Sequence, residues 1–74
     1  IRFSVPQSSD LSLTIYNLTG QEMNSWSYVA AQPGSYEKIW GGTDKYGRGV
    51  ASGVYIYRFV AGNYVQTAKM LLLK

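Results

Sequence analysis

The chain has 74 residues, a net charge of +3, and neither histidine nor cysteine. The lack of both residue types excludes a Ser-His-Asp triad, a thiol nucleophile, disulfide bonds and the commonest transition-metal ligands. The length permits one domain with a single small core, and a hydrophobic content of 46% is that of a folded chain.

Charge and hydropathy narrow the range of partners. The basic residues are scattered along the chain, whereas a nucleic-acid interface usually gathers them on one face, so we expect no nucleic-acid partner. The longest unbroken apolar run covers residues 70–73 and is far too short for a membrane helix, which predicts no transmembrane segment. The chain starts within a strand-like pattern at Ile1, and we expect residues 1–74 to be a single domain forming the C-terminal fragment of a longer protein.

Period-two alternation bounded by turn residues dominates the first half of the chain. Residues 1–5 predict a strand that ends at Pro6, followed by a loop to residue 10. Residues 11–16 predict a half-buried strand, and residues 17–20 a tight turn rich in residues that tolerate positive φ. A partner strand is predicted from residue 21 to about residue 29, where the three-residue spacing of Met23 and Trp26 indicates a β-bulge.

The second half continues this pattern. After a turn at residues 32–35, alternation over residues 36–40 predicts a strand, with Trp40 as the central aromatic side chain of the core. Residues 41–53 predict a long glycine-rich connection, and residues 54–60 and 64–73 predict two strands joined by a turn at residues 61–63. Short strands at about ten-residue intervals predict an all-β, immunoglobulin-like antiparallel β-sandwich of about seven strands.

The side chains that remain give little scope for chemistry. The acidic residues Asp10, Glu22, Glu37 and Asp44 lie in turns or beside solvent-facing positions, which is typical of surface charge, so we expect no enzyme and no catalytic residues. Asp44 is the one carboxylate of the glycine-rich connection, whereas calcium prefers six to eight oxygen ligands. We therefore expect no metal or cofactor and predict that Asp44 hydrogen-bonds its own backbone to fix the turn. Tyr46 in the same loop is expected to be exposed.

Several segments together resemble a known family. They are Ile39-Trp40-Gly41-Gly42-Thr43-Asp44, the run from Val50 to Phe59, and the terminal pair of lysines, Lys69 and Lys74, with four residues between them. The opening residues 1–6 and 13–20 agree as well. The chain resembles, nearly end to end, the type A C-terminal sorting domain of bacterial type IX (Por) secretion substrates, and is similar to the immunoglobulin-like domain of flagellar hook-capping proteins. It departs from the family at Gly41, where the family usually has aspartate.

The resemblance implies a function outside catalysis. It implies a non-catalytic sorting signal for a cargo that is covalently linked upstream. The type IX outer-membrane translocon and then a sortase would act on the protein and direct it to the bacterial cell surface or the medium. The residues that it implies for signal recognition are Lys69, Met70, Leu71, Leu72, Leu73 and Lys74. The family-motif residues, assigned to turns or to the core, are Trp40, Gly42, Asp44, Gly47, Gly53, Tyr55, Tyr57 and Gly62.

Two other classes of function fit the same sequence. The chain could be a structural immunoglobulin-like spacer or assembly module, as in hook-capping or fibre proteins. It could also be an accessory carbohydrate-binding module of a secreted hydrolase, since exposed aromatic rings such as that of Tyr46 form platforms for sugars.

Overall fold

The computed structural model describes residues 1–5, 7 and 9–73, except for the side chains of Arg2, Ala30 and Ala31. The predicted strand end at Pro6 lies outside the described residues. Regular structure in the described part of the chain is entirely β. Its six strands are β1 (Arg2–Val5), β2 (Ser9–Tyr16), β3 (Glu22–Ala31), β4 (Gly34–Glu37), β5 (Gly53–Ala61) and β6 (Tyr64–Leu72).

The strands form two antiparallel sheets. The larger sheet has the order β3-β2-β5-β6, and the smaller one pairs β1 with β4. The predicted all-β antiparallel sandwich is confirmed, with six strands where about seven were expected. Several boundaries differ from the prediction. β2 begins at Ser9 and so takes up the end of the predicted loop, and β3 continues to Ala31. β4 begins at Gly34, inside the predicted turn, and ends at Glu37, three residues before Trp40.

Alternation in β2 explains how the core forms. Leu11, Leu13 and Ile15 are buried while the residues between them are half-buried, as the sequence predicts. Leu13 lies opposite Trp26 on β3 and opposite Phe59 on β5, so the inward face of β2 is central to the larger sheet.

Phe59 occupies the centre of the core, with 1% of its surface exposed. Its ring lies 4.5 Å from that of Phe3 on β1, and this contact joins the two sheets. The prediction that Trp40 is the central aromatic is wrong: Trp40 is half-buried and follows the end of β4. Its alternation with Tyr36 does not place it in the sheet, because the chain leaves the β1–β4 ladder just after Lys38, whose N–H donates to the Ile1 carbonyl at 2.7 Å.

The β2–β3 hairpin contains the predicted turn and bulge. Gly20 has a φ of +88° and donates its N–H to the Asn17 carbonyl at 3.0 Å. Ile15 pairs with Asn24 but Tyr16 pairs with Glu22, so Met23 is the extra residue of a bulge. The glycine-rich loop between β4 and β5, residues 38–52, contacts this bulge through the Lys45 N–H, which donates to the Met23 carbonyl.

Tyr55 fixes the start of β5. Its hydroxyl donates to the Ala51 carbonyl at 2.5 Å, four residues upstream, while its ring is buried. This is the kind of contact that forms the tyrosine corner of immunoglobulin-like sandwiches. It ties the end of the glycine-rich loop to the core.

Replacing Tyr55 by phenylalanine removes only that hydroxyl, and we expect it to lower the free energy of unfolding by about 1 kcal/mol, the usual net value of one hydrogen bond. Urea titration followed by circular dichroism measures the change. Tyr46→Phe, which removes a hydroxyl from an exposed ring, is the matched control and should unfold like the wild type. Equal midpoints for the two variants would contradict a stabilising role for the Tyr55 hydroxyl.

Candidate functional site

The candidate recognition strand is β6, which lies at one edge of the larger sheet. Among the described residues its backbone pairs with β5 alone, over all nine of its residues and without a register shift. Gly62 has a φ of +59° and with Asn63 forms the two-residue turn between the two strands. The opposite edge of β6 therefore presents an uninterrupted row of backbone N–H and C=O groups.

The two faces of β6 differ near its end. Met70 lies opposite Tyr55, and Leu72 opposite Gly53, so both side chains point toward the core and are half-buried. Lys69 and Leu71 lie between them in the alternation and are exposed on the outer face, Leu71 to 63%. The predicted signal segment is thus partly core and partly surface.

One of the predicted signal residues that the structure describes lies beyond β6. Leu73 follows the strand and is 79% exposed. The predicted signal residue Lys74 lies outside the described residues.

A groove runs along the inward side of this strand end. It has a volume of about 380 Å³, and its walls include Met70, Leu72, Ile39 and Trp40. The Trp40 ring meets that of Tyr55 edge-on at 5.0 Å, and its indole N–H donates to the Thr43 carbonyl at 2.8 Å. Trp40 therefore forms part of the groove wall beside β6, and its indole hydrogen bond connects this wall to the glycine-rich loop.

The glycine-rich loop, residues 38–52, is ordered around Asp44. One carboxylate oxygen of Asp44 accepts the N–H groups of Tyr46 and Arg48, both at 2.9 Å, and the other accepts Arg48 Nε at 3.0 Å. Gly47, with a φ of +81°, donates its N–H to the Asp44 carbonyl. The prediction that Asp44 fixes the turn is confirmed.

These contacts hold the pKa of Asp44 below its ordinary value of 3.8, chiefly through the backbone N–H of Arg48, then through that of Tyr46 and the Arg48 side chain. A depressed pKa in the folded state means that the carboxylate stabilises the fold above about pH 4, and that this contribution disappears as the pH falls through the folded-state pKa.

Asp44→Asn tests this linkage. The urea midpoint of the wild type should fall more than that of the variant when the pH is lowered from about 7 to about 2.5, because only the wild type loses the Asp44 charge. The two proteins differ at this position alone, so the difference between the two curves isolates Asp44. Parallel curves would contradict the assignment.

The loop docks on the bulge of β3. Lys45 donates its backbone N–H to the Met23 carbonyl at 2.8 Å, and Asn24 Nδ2 donates to the carbonyls of Thr43 and Asp44 at 3.0 and 3.2 Å. Asn24 is a positioning residue that the sequence analysis did not single out. Its position beside a predicted bulge was the one available signal.

The family-motif residues lie in four places. Trp40, Gly53 and Tyr55 lie beside the end of β6, and Tyr57 lies further along β5, opposite Ala68. Gly42, Asp44 and Gly47 shape the loop, and Gly62 lies at the far end of β5. The fold thus brings Trp40 and Tyr55 together with the predicted signal residues, whereas Gly62 and the Asp44 turn lie elsewhere.

Tyr46 is 72% exposed, as predicted. Two cations lie near its ring, with Arg48 Cζ at 5.1 Å and Lys45 Nζ at 5.8 Å from the centroid. The same two cations form ion pairs: Arg48 with Asp44 at 3.0 Å, and Lys45 with Glu22 at 3.8 Å. The loop surface is therefore a mixture of paired charges around one aromatic ring.

The described residues contain no cluster of three or more side chains of the types that hold metal ions. Within the same residues no helix is long and apolar enough to cross a membrane.

Comparison with known proteins adds no relative: no family model, curated protein or solved structure matches the chain.

Proposed function

We propose that this chain is a non-catalytic C-terminal secretion and sorting domain, which directs a covalently linked cargo through a type IX outer-membrane translocon to the cell surface or the medium. The observation that carries the proposal is the place in the fold of the predicted signal residues. Of these residues, Lys69 to Leu72 form the end of β6, an open sheet edge with Lys69 and Leu71 exposed.

The physical chemistry of this edge supports recognition by strand addition. A receptor strand can pair with unpaired backbone groups, and exposed alternate side chains then supply specificity. Lys69 offers a positive charge and Leu71 an apolar contact on the same face, whereas Met70 and Leu72 point inward and are half-buried. The receptor would contact the outer face of β6, and the half-buried inner face would stay in place.

The test changes the outer face and spares the core. A reporter is fused upstream of residues 1–74 in a type IX-competent host, and the double variant Lys69→Gln/Leu71→Ser is compared with wild type. The control Arg58→Gln/Val65→Ser also removes one positive charge and one exposed apolar side chain from the outer face of the same sheet. We expect the secreted fraction of the reporter to fall about tenfold or more for the first variant only.

Circular dichroism of both purified domains shows whether each remains folded. Normal export of folded Lys69→Gln/Leu71→Ser would overturn the proposal and favour a structural spacer. An equal loss of export in the two variants would also overturn it, because the effect would then not depend on the end of β6.

A further inference from the structure

The four strands at sheet edges differ in how well they could pair with another chain. β1 and β4 have four residues each. β3 has register shifts at two places, and the outward carbonyl of its bulge residue Met23 already accepts the Lys45 N–H. Shortness, bulges and a covering loop are devices that protect sheet edges. β6 has nine residues, no register shift and one charged side chain, Lys69.

The hairpin turn determines which backbone groups of β6 face outward. Ala61 and Tyr64 close the two-residue turn and pair with each other, so Tyr64 directs its backbone groups toward β5. Backbone groups alternate along an antiparallel strand. The free edge is therefore formed by the N–H and C=O groups of Val65, Thr67, Lys69 and Leu71.

We propose that a second copy of this chain pairs with β6 in antiparallel orientation, with the two-fold axis at Ala68. This is the register that uses all nine residues of both strands, since residue 64 then faces residue 72 and residue 68 faces itself. The two four-stranded sheets join into one continuous sheet through an isologous interface.

Side-chain charge and hydropathy fit this register. Lys69 faces Thr67 of the second copy, so the two lysines do not oppose each other. On the same outer face, the exposed side chain of Leu71 faces the exposed side chain of Val65. On the inner face, Leu72 faces Tyr64. A shift of the axis to residue 69 would place the two lysines directly opposite each other, at a cost in free energy, and would leave strand ends unpaired.

The proposed register predicts a short Cα–Cα distance that disulfide cross-linking can test. Ala68 and its copy form a pair without mutual backbone hydrogen bonds, with their Cα atoms about 4.5 Å apart, which is within disulfide range. The chain contains no cysteine, so Ala68→Cys introduces a single thiol. Gln66→Cys lies on the same face of β6, but the two thiols of a dimer would be about 14 Å apart.

We expect mild oxidation of the purified 74-residue chain to cross-link Ala68→Cys into a disulfide-bonded dimer, with at least tenfold less product for Gln66→Cys. Circular dichroism checks that both variants are folded. Equal rates, or no cross-linking of folded Ala68→Cys at millimolar concentration, would overturn the proposal.

A charge test at Thr67 checks the same register in solution. Thr67→Glu places a carboxylate opposite Lys69 of the second copy and should tighten the dimer, whereas Thr67→Lys opposes two positive charges and should weaken it. Because each pair occurs twice in the dimer, we expect dissociation constants from sedimentation equilibrium at low salt to differ about tenfold or more. Indistinguishable constants, or a wild-type chain that stays monomeric at millimolar concentration, would refute the pairing. The second copy and the proposed receptor strand would use the same edge of β6 and therefore exclude each other there. Neither test involves export, so each result is separate from that of the export experiment.

Discussion

Replacing Phe59 by alanine is expected to lower the free energy of unfolding by about 3–5 kcal/mol, the usual cost of truncating a buried aromatic ring. The ring is almost fully enclosed, touches Phe3 across the sandwich, and lies opposite Leu13 in the larger sheet. A core in a chain of this length supplies only roughly 3–5 kcal/mol in total. The variant should therefore be largely unfolded at 25 °C.

Urea unfolding followed by circular dichroism, extrapolated to zero urea, measures the loss. Tyr64→Ala is the control, because its ring also contacts Phe59, at 6.2 Å between centroids, yet is 51% exposed. We expect the control to lose about 1 kcal/mol. A folded Phe59→Ala chain that unfolds within about 1 kcal/mol of wild type would show that the core is centred elsewhere.

The strands were predictable where one face is buried and the other is not. The buried side chains of Leu11, Leu13 and Ile15 alternate with more polar neighbours, and this pattern specifies both a strand and its inward face. The turn at residues 17–20 was also predictable, because Gly20 adopts the positive φ that glycine permits.

The prediction that Trp40 lies at the centre of the core is wrong because hydropathy and spacing do not reveal where the sheet ends. Alternation continues to Trp40 in the sequence, but the strand ends at Glu37. The indole then contacts Tyr55 edge-on and donates to a loop carbonyl, which suits a ring with one polar atom at the margin of the core. Phe59, without any polar atom, occupies the centre.

Part of the candidate site follows from local chemistry and part from strand order. The role of Asp44 was predictable because its partners Tyr46 and Arg48 are near in sequence. The exposure of β6 as an edge was not derivable from periodicity, because edge position depends on which strands become neighbours in the sheet. The contacts of Asn24 with the loop join residues 19 and 20 positions apart, and no local pattern specifies them.

Removing residues 69–74 is expected to destabilise the domain by about 3 kcal/mol or more. The deletion takes away the half-buried side chains of Met70 and Leu72, and two such side chains at half burial contribute roughly 2–3 kcal/mol together. It also removes the strand that pairs with residues 53–56 and uncovers the ring of Tyr55. Since this loss is similar to the whole stability expected of so small a core, the truncated chain should be mostly unfolded.

Thermal unfolding followed by circular dichroism tests this expectation. Removing residues 73 and 74 alone is the control, because Leu73 follows the end of β6 and is exposed, and the midpoint should stay within a few degrees of wild type. A cooperative transition near the wild-type midpoint in the longer truncation would show that the end of β6 is dispensable for folding. If the truncated chain unfolds as expected, a failure of export after the same deletion has two explanations: the loss of the sorting signal or the unfolding of the domain. Substitutions of the outward-facing Lys69 and Leu71 can distinguish the two, because they leave the inward side of β6 intact.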